Sequence, residues 1–266
     1  METIKIKCPA KINLNLKVTR KRPDGFHDIE SVMQTISLYD YLQICVEDSE
    51  ENVINLSGNS PEIPYNEHNL VYKAVLLYLS ESGLNNKKIS INIEKNIPVA
   101  AGLAGGSTDA AGTLYGLNKI FKCFDDKKLH SLCAALGSDL NVCLMGGRIL
   151  AKGRGEILQP YKFEPFNLSL IKPIGLGISA KEAYTKFSYK FENNIDVDRR
   201  ADFENDLEWA IINDYPQLLK IKSEYMNSVM TGSGSTYFII GKEFQPQEGF
   251  DVWNNLEAIS KGVCEY

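Results

Sequence analysis

The sequence lacks long apolar runs and an excess of basic charge, and each absence excludes a class of protein. No run reaches the length of about 18 apolar residues that a membrane-spanning helix needs. The 266 residues include 29 Lys and Arg against 34 Asp and Glu, giving a net charge of −5. A general nucleic-acid-binding protein is normally basic. We therefore expect neither a membrane nor a nucleic acid among the partners.

Cysteine and histidine are scarce and scattered. The six cysteines form no Cys-x-x-Cys pair, and the three histidines, His27, His68 and His130, lie far apart in the chain. Most cysteines stand in apolar surroundings, which is typical of reduced core thiols. The first residues resemble neither a signal peptide nor a transit peptide. We expect a cytoplasmic, thiol-reduced protein with no metal site recognisable from ligand spacing.

Hydrophobic periodicity predicts strands and helices in one α+β chain. Alternation of apolar and polar residues predicts strands over 3–7, 12–20, 29–38, 42–46, 53–56, 88–94, 147–151, 168–172 and 237–240. Helical spacing and capping residues predict helices over 69–82, 107–118, 126–136, 181–189, 203–213 and 216–227. Since strands dominate the first third without strand–helix alternation, we expect mixed or antiparallel sheets covered by helices.

The segment 97–112 carries the strongest functional signal. A predicted strand, a loop of small residues and a predicted helix follow one another, and this arrangement binds phosphate through the first N–H groups of the helix. The P-loop pattern is excluded because Ser107, not lysine, follows Gly106, and the glycine spacing does not match a Rossmann fingerprint. On chemistry alone, a plain helix cap after a tight turn remains an alternative.

Pro98 and the sequence Gly-Leu-Ala-Gly-Gly-Ser-Thr at 102–108 resemble the ATP-binding loop of the GHMP kinases. The segments 8–14 and 22–27, Cys-Pro-Ala-Lys-Ile-Asn-Leu and Arg-Pro-Asp-Gly-Phe-His, resemble the one branch of that family whose substrate is 4-diphosphocytidyl-2-C-methyl-D-erythritol. Segments 137–139, 203–208 and 231–235 follow in the family's order, so that the resemblance spans residue 6 to about 241.

The resemblance implies an ATP-dependent kinase that phosphorylates the 2-hydroxyl of this cytidine diphosphate substrate in non-mevalonate isoprenoid precursor biosynthesis. It further implies Mg²⁺ as the counter-ion of ATP and an active-site cleft between two subdomains, residues 1–160 and 161–266, with the boundary in 157–167. We expect a monomer or a homodimer.

By the same resemblance, Asp139 is the catalytic carboxylate and Lys11 its partner across the cleft. Asp139 would accept or orient the proton of the attacking hydroxyl, and Lys11 would keep the carboxylate ionised and neutralise charge on the transferred phosphoryl group. From the residues alone, Asp139 in its glycine-flanked loop also fits a turn former, and Lys11 also fits the polar face of a strand.

The resemblance assigns the cytidine pocket to residues after the first turn. Phe26 and Tyr184 would stack on the two faces of cytosine, His27 would hydrogen-bond its edge, and Asn13 would contact the substrate beside Lys11. Without the resemblance, Phe26 fits a core residue and His27 a turn cap.

The resemblance places Lys95 near the nucleotide base, with Asn69 and Leu70 lining the same pocket, whereas a solvated lysine at a strand end is the alternative. The loop residues assigned to ATP binding are Pro98, Val99, Ala100, Ala101, Gly102, Leu103, Ala104, Gly105, Gly106, Ser107 and Thr108. A second glycine loop, 231–235, would close over the phosphates or support the first loop, unless it is a plain hairpin turn. The basic run 20–22 either attracts the diphosphate or is a solvated charge run.

Three residues depart from the family pattern. Ala180 stands where a hydroxyl is common, Asn141 where proline is common, and Phe26 where tyrosine is usual. We expect loss of one hydroxyl contact at Ala180 and a looser Asp139 loop at Asn141, while stacking by Phe26 is preserved.

The alternatives to this function are another GHMP kinase, of the homoserine or mevalonate type, and a non-catalytic nucleotide-binding regulator on the same fold. The 22–27 motif argues against the first, and retention of both Lys11 and Asp139 argues against the second.

Overall fold

Two antiparallel-dominated sheets form the framework of the computed structural model, which describes residues 1–266. The large sheet comprises β1 (Glu2–Asn13), β2 (Lys17–Lys21), β3 (His27–Asp48), β4 (Val53–Gly58), β5 (Lys87–Glu94), β6 (Arg148–Gly153), β7 (Ile157–Pro160) and β12 (Cys264–Glu265). The small sheet comprises β8 (Asn167–Pro173), β9 (Val229–Met230), β10 (Tyr237–Ile240) and β11 (Phe250–Glu257). Only β4 and β5 pair in parallel.

Seven α-helices cover these sheets and confirm the predicted α+β class. They are α1 (Leu70–Ser82), α2 (Gly105–Phe121), α3 (Asp126–Leu136), α4 (Leu140–Met145), α5 (Ala180–Glu192), α6 (Asp206–Ile211) and α7 (Pro216–Glu224). Alternating isoleucines of β1, β3 and β5 pack against α1 and α2 in one core, while α5, α6 and α7 pack in a second core with the small sheet. No helix combines the length and the apolar character that crossing a bilayer requires.

The predicted strand 12–20 was wrong, because the chain leaves the sheet in its middle. β1 ends at Asn13, whose backbone N–H donates to the Thr231 hydroxyl at 3.0 Å. Leu16 then pairs with Asn205 in an isolated bridge before β2 begins. This detour brings the end of β1 next to the C-terminal half of the chain.

The strands predicted over 29–38 and 42–46 are one strand, β3, of 22 residues. The pairing of β1 with β3 shifts register between Pro9 and Lys11, and this bulge bends the pair without ending either strand. Lys11 follows the bulge directly, so the irregularity lies beside a predicted catalytic residue.

Several helix boundaries also differ from the predictions. α2 begins at Gly105, not Ser107, so two loop glycines belong to its first turn. The helix predicted over 203–213 begins only at Asp206, after Asn205 accepts the N–H of Leu207 as a cap. The pattern gave no expectation for α4, a six-residue helix in the apolar run after Asp139, or for β7, β9, β11 and β12.

Residues 161–166 connect β7 of the large sheet to β8 of the small sheet, within the region where the subdomain boundary is predicted. The chain later returns to the large sheet, because β12 pairs with β1. The division into residues 1–160 and 161–266 stays a prediction.

Candidate functional site

A cleft of about 940 Å³ collects side chains from both halves of the chain. All residues predicted as catalytic or substrate-binding line it: Lys11, Asn13, Phe26, His27, Asp139 and Tyr184. Gly102 and Ala104 of the first glycine loop and Gly232 and Ser233 of the second also line it. The cleft therefore joins the predicted phosphate loop to the predicted acceptor site.

Lys11 and Asp139 meet in this cleft, as predicted despite their distance in sequence. Lys11 Nζ lies 3.6 Å from Asp139 Oδ2, and it donates to Asn13 Oδ1 at 2.7 Å and to the Gly102 carbonyl at 3.1 Å. The Lys11 side chain is 4% exposed and that of Asp139 30% exposed. A nearly buried ammonium is thus held by three oxygens, while the carboxylate beside it faces the cleft.

Asp139 owes its accessibility to its position between two helices. It directly precedes α4 and its side chain makes no capping hydrogen bond, so the carboxylate does not accept from the backbone N–H groups at the start of the helix. Asn141, two residues on, donates to the His130 carbonyl of α3 at 3.1 Å, and its Oδ1 lies 2.8 Å from His130 Nδ1. This amide ties α4 to α3, and the expectation that Asn141 loosens the Asp139 loop stays a prediction.

Phe26 lies at the rim of the cleft, not in the core. Its side chain is 54% exposed, which excludes the core alternative. The Arg154 guanidinium lies over its ring, 4.3 Å from the ring centroid. One face of Phe26 is therefore covered by a cation, and only the other face is open for stacking.

The Tyr184 ring stacks on the His27 ring and does not face an empty space opposite Phe26. The two rings lie 5.1 Å apart at 19°, and His27 Nε2 lies 2.8 Å from the Ser188 hydroxyl of α5. Burial, and then the nearby Lys21 charge, lower the pKa of His27. The predicted sandwich of a base between Phe26 and Tyr184 is thus not preformed, because His27 occupies the Tyr184 face.

Arg154 is one of the cleft residues that sequence reasoning missed, as are Lys181, Ser188 and Glu192. Arg154 lies in the turn between β6 and β7, between Gly153 and Gly155, which both have positive φ. The Gly-Arg-Gly sequence just after the predicted strand 147–151 was the available signal. Arg154 makes no ion pair, whereas Lys21, another cation that lines the cleft, pairs with Glu192 at 2.7 Å. In the run 20–22, the two arginines pair with Asp24 and Asp28, so the run is not a set of free charges.

The first glycine loop is supported by the second. Gly102 has a φ of +76°, and a Cβ there would lie 2.1 Å from the Thr231 carbonyl oxygen. The Thr231 hydroxyl donates to the Gly102 carbonyl at 3.2 Å. Residues 231–236 connect β9 to β10, which pair antiparallel, so the second loop is a hairpin connection that also supports the first loop.

The start of α2 presents the expected anion-binding geometry. Thr108 is the first residue whose N–H bonds within the helix, to Ala104 at 2.9 Å, so the N–H groups of the three preceding residues remain available. A Cβ at Gly106 would meet nothing within 4 Å, whereas one at Gly105 would lie 3.1 Å from Lys95 Nζ. The Thr108 side chain is fully buried, so it offers no hydroxyl to a ligand.

The residues predicted near the nucleotide base have structural contacts of their own. Asn69 caps α1 by accepting the N–H of Val71 at 2.9 Å, and Leu70 packs on the first core. Lys95 is not the solvated lysine of the alternative, because its side chain is 5% exposed and pairs with Asp40 and Asp109. Asn69, Leu70, Lys95, residues 98–101, Leu103 and residues 105–108 do not line the cleft, and their role in ATP binding stays a prediction.

Comparison with known proteins identifies relatives over nearly the whole chain. Residues 69–147 match the family described as the GHMP kinases N terminal domain. A 4-diphosphocytidyl-2-C-methyl-D-erythritol kinase of Geobacillus thermodenitrificans is 37% identical over 282 residues, covering 98% of this chain and 94% of the relative. The enzyme of the same name from Prochlorococcus marinus is 40% identical, covering 84% of this chain and 72% of its own.

Solved structures of kinases share the fold of this chain over nearly its whole length. A crystal structure of 4-(cytidine 5'-diphospho)-2C-methyl-D-erythritol kinase matches with a TM-score of 0.75 and 28% identity, over 96% of this chain and 99% of the other. A homoserine kinase from Cytophaga hutchinsonii matches with a TM-score of 0.70 at 17% identity, over 100% and 98%. The second match shows a shared fold alone.

Proposed function

The chain belongs to the 4-diphosphocytidyl-2-C-methyl-D-erythritol kinases of the GHMP kinase family, and from this premise we propose how its cleft works. The protein is an ATP-dependent small-molecule kinase. It transfers the γ-phosphoryl group of ATP to the 2-hydroxyl of 4-diphosphocytidyl-2-C-methyl-D-erythritol, a step of non-mevalonate isoprenoid precursor biosynthesis. The reaction takes place in the cytoplasm, where ATP is available.

The Lys11–Asp139 pair is the single observation that carries the proposal. Transfer of a phosphoryl group requires positioning of the nucleophile and stabilisation of charge, and little covalent chemistry by the protein. Asp139, open to the cleft, accepts or orients the proton of the acceptor hydroxyl. Lys11, fixed by Asn13 and the Gly102 carbonyl, supplies positive charge beside the glycine loop, where the transferred group arrives.

The cytidine end of the substrate lies against Phe26 and His27. Cytosine stacks on the open face of Phe26, and stacking on an aromatic ring does not by itself distinguish bases. Recognition of cytosine therefore depends on hydrogen bonds, which we assign to His27. Its Nε2 is engaged by Ser188, so Nδ1 is the atom that remains for the base edge. Arg154, unpaired and above Phe26, contributes positive charge next to the substrate diphosphate.

The ATP phosphates bind at the start of α2, over the open position at Gly106. No group of three or more His, Cys, Asp or Glu side chains is arranged to hold a metal ion. This fits Mg²⁺ that arrives with ATP, since Mg²⁺ in such sites is held by substrate phosphates, waters and one or two carboxylates. Asp139 is the cleft carboxylate that lies beside Lys11, and the ion would neutralise phosphate charge there.

The test is phosphotransfer by the purified protein with a panel of acceptors. We expect ATP consumption to depend on 4-diphosphocytidyl-2-C-methyl-D-erythritol and to be absent with homoserine or mevalonate. Activity with one of the latter two would assign the chain to another GHMP kinase. Binding of ATP and of the cytidine substrate without any transfer would favour the non-catalytic regulator.

A further inference from the structure

A buried ion cluster lies behind the glycine loop, outside the cleft. Lys95 Nζ is 2.9 Å from Asp109 Oδ2 and also contacts Asp40 Oδ2. The exposed fractions of the three side chains are 5% for Lys95, 3% for Asp109 and 0% for Asp40. We call these three residues the clasp. None of them lines the cleft, so no part of the mechanism above uses them.

The clasp joins both ends of the glycine loop to the large sheet. Lys95 follows β5 directly, Asp109 lies in the second turn of α2, and residues 96–104 form the loop between them. Asp40, on β3, accepts through its Oδ1 the backbone N–H groups of Asn96 at 2.6 Å and Ile97 at 2.8 Å. One carboxylate therefore fixes the start of the loop, and the ammonium connects that carboxylate to the helix at the loop's end.

Gly105 provides the room for this contact. A Cβ at this position would lie 3.1 Å from Lys95 Nζ and 3.1 Å from Ile97 Cγ2, so both neighbours would have to shift. The first turn of α2 thus rests on the Lys95 ammonium. Any movement of that ammonium therefore changes the position of the N-terminal turn of α2.

We propose that Asp40, Lys95 and Asp109 set the affinity of the loop for the ATP phosphates by holding the N-terminus of α2 against the start of the loop. Lys95 acts as a positioning residue and does not touch ATP. The inference rests on the proposed function, since it takes the loop as the ATP site. Preorganised N–H groups bind an anion well only while their mutual geometry is kept, and small displacements are costly.

The clasp carries one carboxylate more than it has cations. Besides Asp40 and Lys95, the titratable group that faces Asp109 is the buried Cys8 thiol of β1, whose pKa is raised, mainly by burial. This thiol remains neutral, so the charge of the cluster depends on Asp40, Lys95 and Asp109 alone. Burial, and then the Asp40 carboxylate, raise the pKa of Asp109. As the pH rises, Asp109 loses its proton and the negative charge behind the anion site increases.

Two variants test the clasp without leaving a buried ammonium unpaired. Lys95→Met with Asp40→Asn removes the ion pair and keeps side chains of similar shape. The amide oxygen of the new asparagine can still accept the backbone N–H groups of Asn96 and Ile97. In this double variant, Asp109 is the only titratable member of the clasp that remains, and burial favours its protonated, neutral form. Asp109→Asn removes only the carboxylate that titrates. The dissociation constant of a non-hydrolysable ATP analogue is measured by calorimetry without acceptor, and kcat and both KM values are measured separately.

We expect the double variant to weaken ATP binding on the order of 10- to 100-fold, with the KM for the cytidine substrate changed by less than about twofold. In the wild-type protein, ATP binding should weaken as the pH rises, and this dependence should be reduced in Asp109→Asn. The matched control is Lys222→Met with Glu208→Gln, an ion pair 3.2 Å apart in which Glu208 is buried and Lys222 is partly exposed, and this variant should leave ATP binding unchanged.

Unchanged ATP affinity in the folded double variant would overturn the clasp, as would an equal loss in the Lys222 control. If the double variant does not fold, an Asp109→Asn protein with wild-type ATP affinity at every pH overturns it instead. These results are distinct from failure of the proposed function, which would appear as a wild-type protein that binds ATP through the loop and does not phosphorylate the cytidine substrate.

Discussion

Asp139 is the residue on which the chemistry depends most. Asp139→Asn keeps the volume of the side chain but removes the charge that accepts the hydroxyl proton. We expect kcat to fall by roughly 10²–10⁴, while both substrates still bind. Steady-state kinetics with separate binding measurements check this, and Asp126→Asn, on the exposed first turn of α3, is the control. Near-normal turnover of Asp139→Asn would show that this carboxylate is a turn former.

Phe26 tests the cytidine pocket. Phe26→Ala should weaken binding of the cytidine substrate by about 1–3 kcal/mol, the range for one lost base stack, and should leave ATP affinity unchanged. Phe26→Leu keeps bulk without a π face, so its affinity for the cytidine substrate should lie between those of the wild-type protein and Phe26→Ala. Because Phe26 is 54% exposed, the fold should be retained; Tyr161, 51% exposed and outside the cleft, supplies the control Tyr161→Ala. Equal loss of ATP and cytidine binding would refute the stacking role.

At the scale of single residues, the motifs predicted which side chains meet but not what each one touches. Lys11 and Asp139 are far apart in sequence, and their pairing was predictable only because both stand in recognisable motifs. The contacts of His27 with Tyr184 and Ser188 depend on where α5 packs, which no local pattern encodes. The partners of Lys95 come from β3 and α2, so its burial is a property of the tertiary structure.

At the scale of elements, the start of α2 distinguishes two adjacent glycines. A side chain at Gly106 would project into open space, whereas a Cβ at Gly105 would lie 3.1 Å from both Lys95 Nζ and Ile97 Cγ2 and would push them aside. We expect Gly106→Val to raise the KM for ATP with little change in melting temperature. Gly105→Val should instead lower stability by about 1–3 kcal/mol through overpacking. Wild-type ATP affinity in Gly106→Val would show that the loop is only a structural turn.

Elements with a clear period were predicted well, and irregular ones were not. Helix α1 was predictable from its apolar face, its Asn69 cap and Gly83 at its end, where φ is +68°. α4 is six residues long, too short for a period to emerge from an apolar run. The break between β1 and β2 is set by the Thr231 hydroxyl, which takes the Asn13 N–H away from the sheet. This tertiary contact has no local sequence signal.

At the scale of the whole molecule, the raised pKa of Asp109 makes stability depend on pH. The pKa of Asp109 is raised in the folded state, by burial and then by Asp40, above the value of about 3.9 for a free Asp. Folding therefore favours the protonated form, and this contribution is present at low pH and lost as the pH rises through the raised pKa. Melting temperatures across the range of roughly pH 5 to 9 should fall more for the wild-type protein than for Asp109→Asn.

Asp28 provides a control of opposite sign. Hydrogen bonds from Arg22 and Arg20 lower its pKa in the folded state. Its contribution is present above the ordinary carboxyl range and is lost as the pH falls through the lowered pKa. The melting temperature of Asp28→Asn should therefore differ from that of the wild-type protein at acid pH. Above neutrality, the two proteins should show the same dependence of melting temperature on pH. The same slope for wild type and Asp109→Asn would show that Asp109 is ionised throughout.

The central claim is that the cleft directs the γ-phosphoryl group of ATP to the 2-hydroxyl of the cytidine substrate. The most direct measurement is the proton-coupled ³¹P spectrum of the product formed by the purified protein. Carbon 2 of 2-C-methyl-D-erythritol bears a methyl group and no hydrogen. We therefore expect one new phosphomonoester signal without three-bond proton splitting, equal in intensity to each diphosphate signal. A monoester split by protons on carbon 1 or 3, or no new signal while ATP is consumed, would contradict the account.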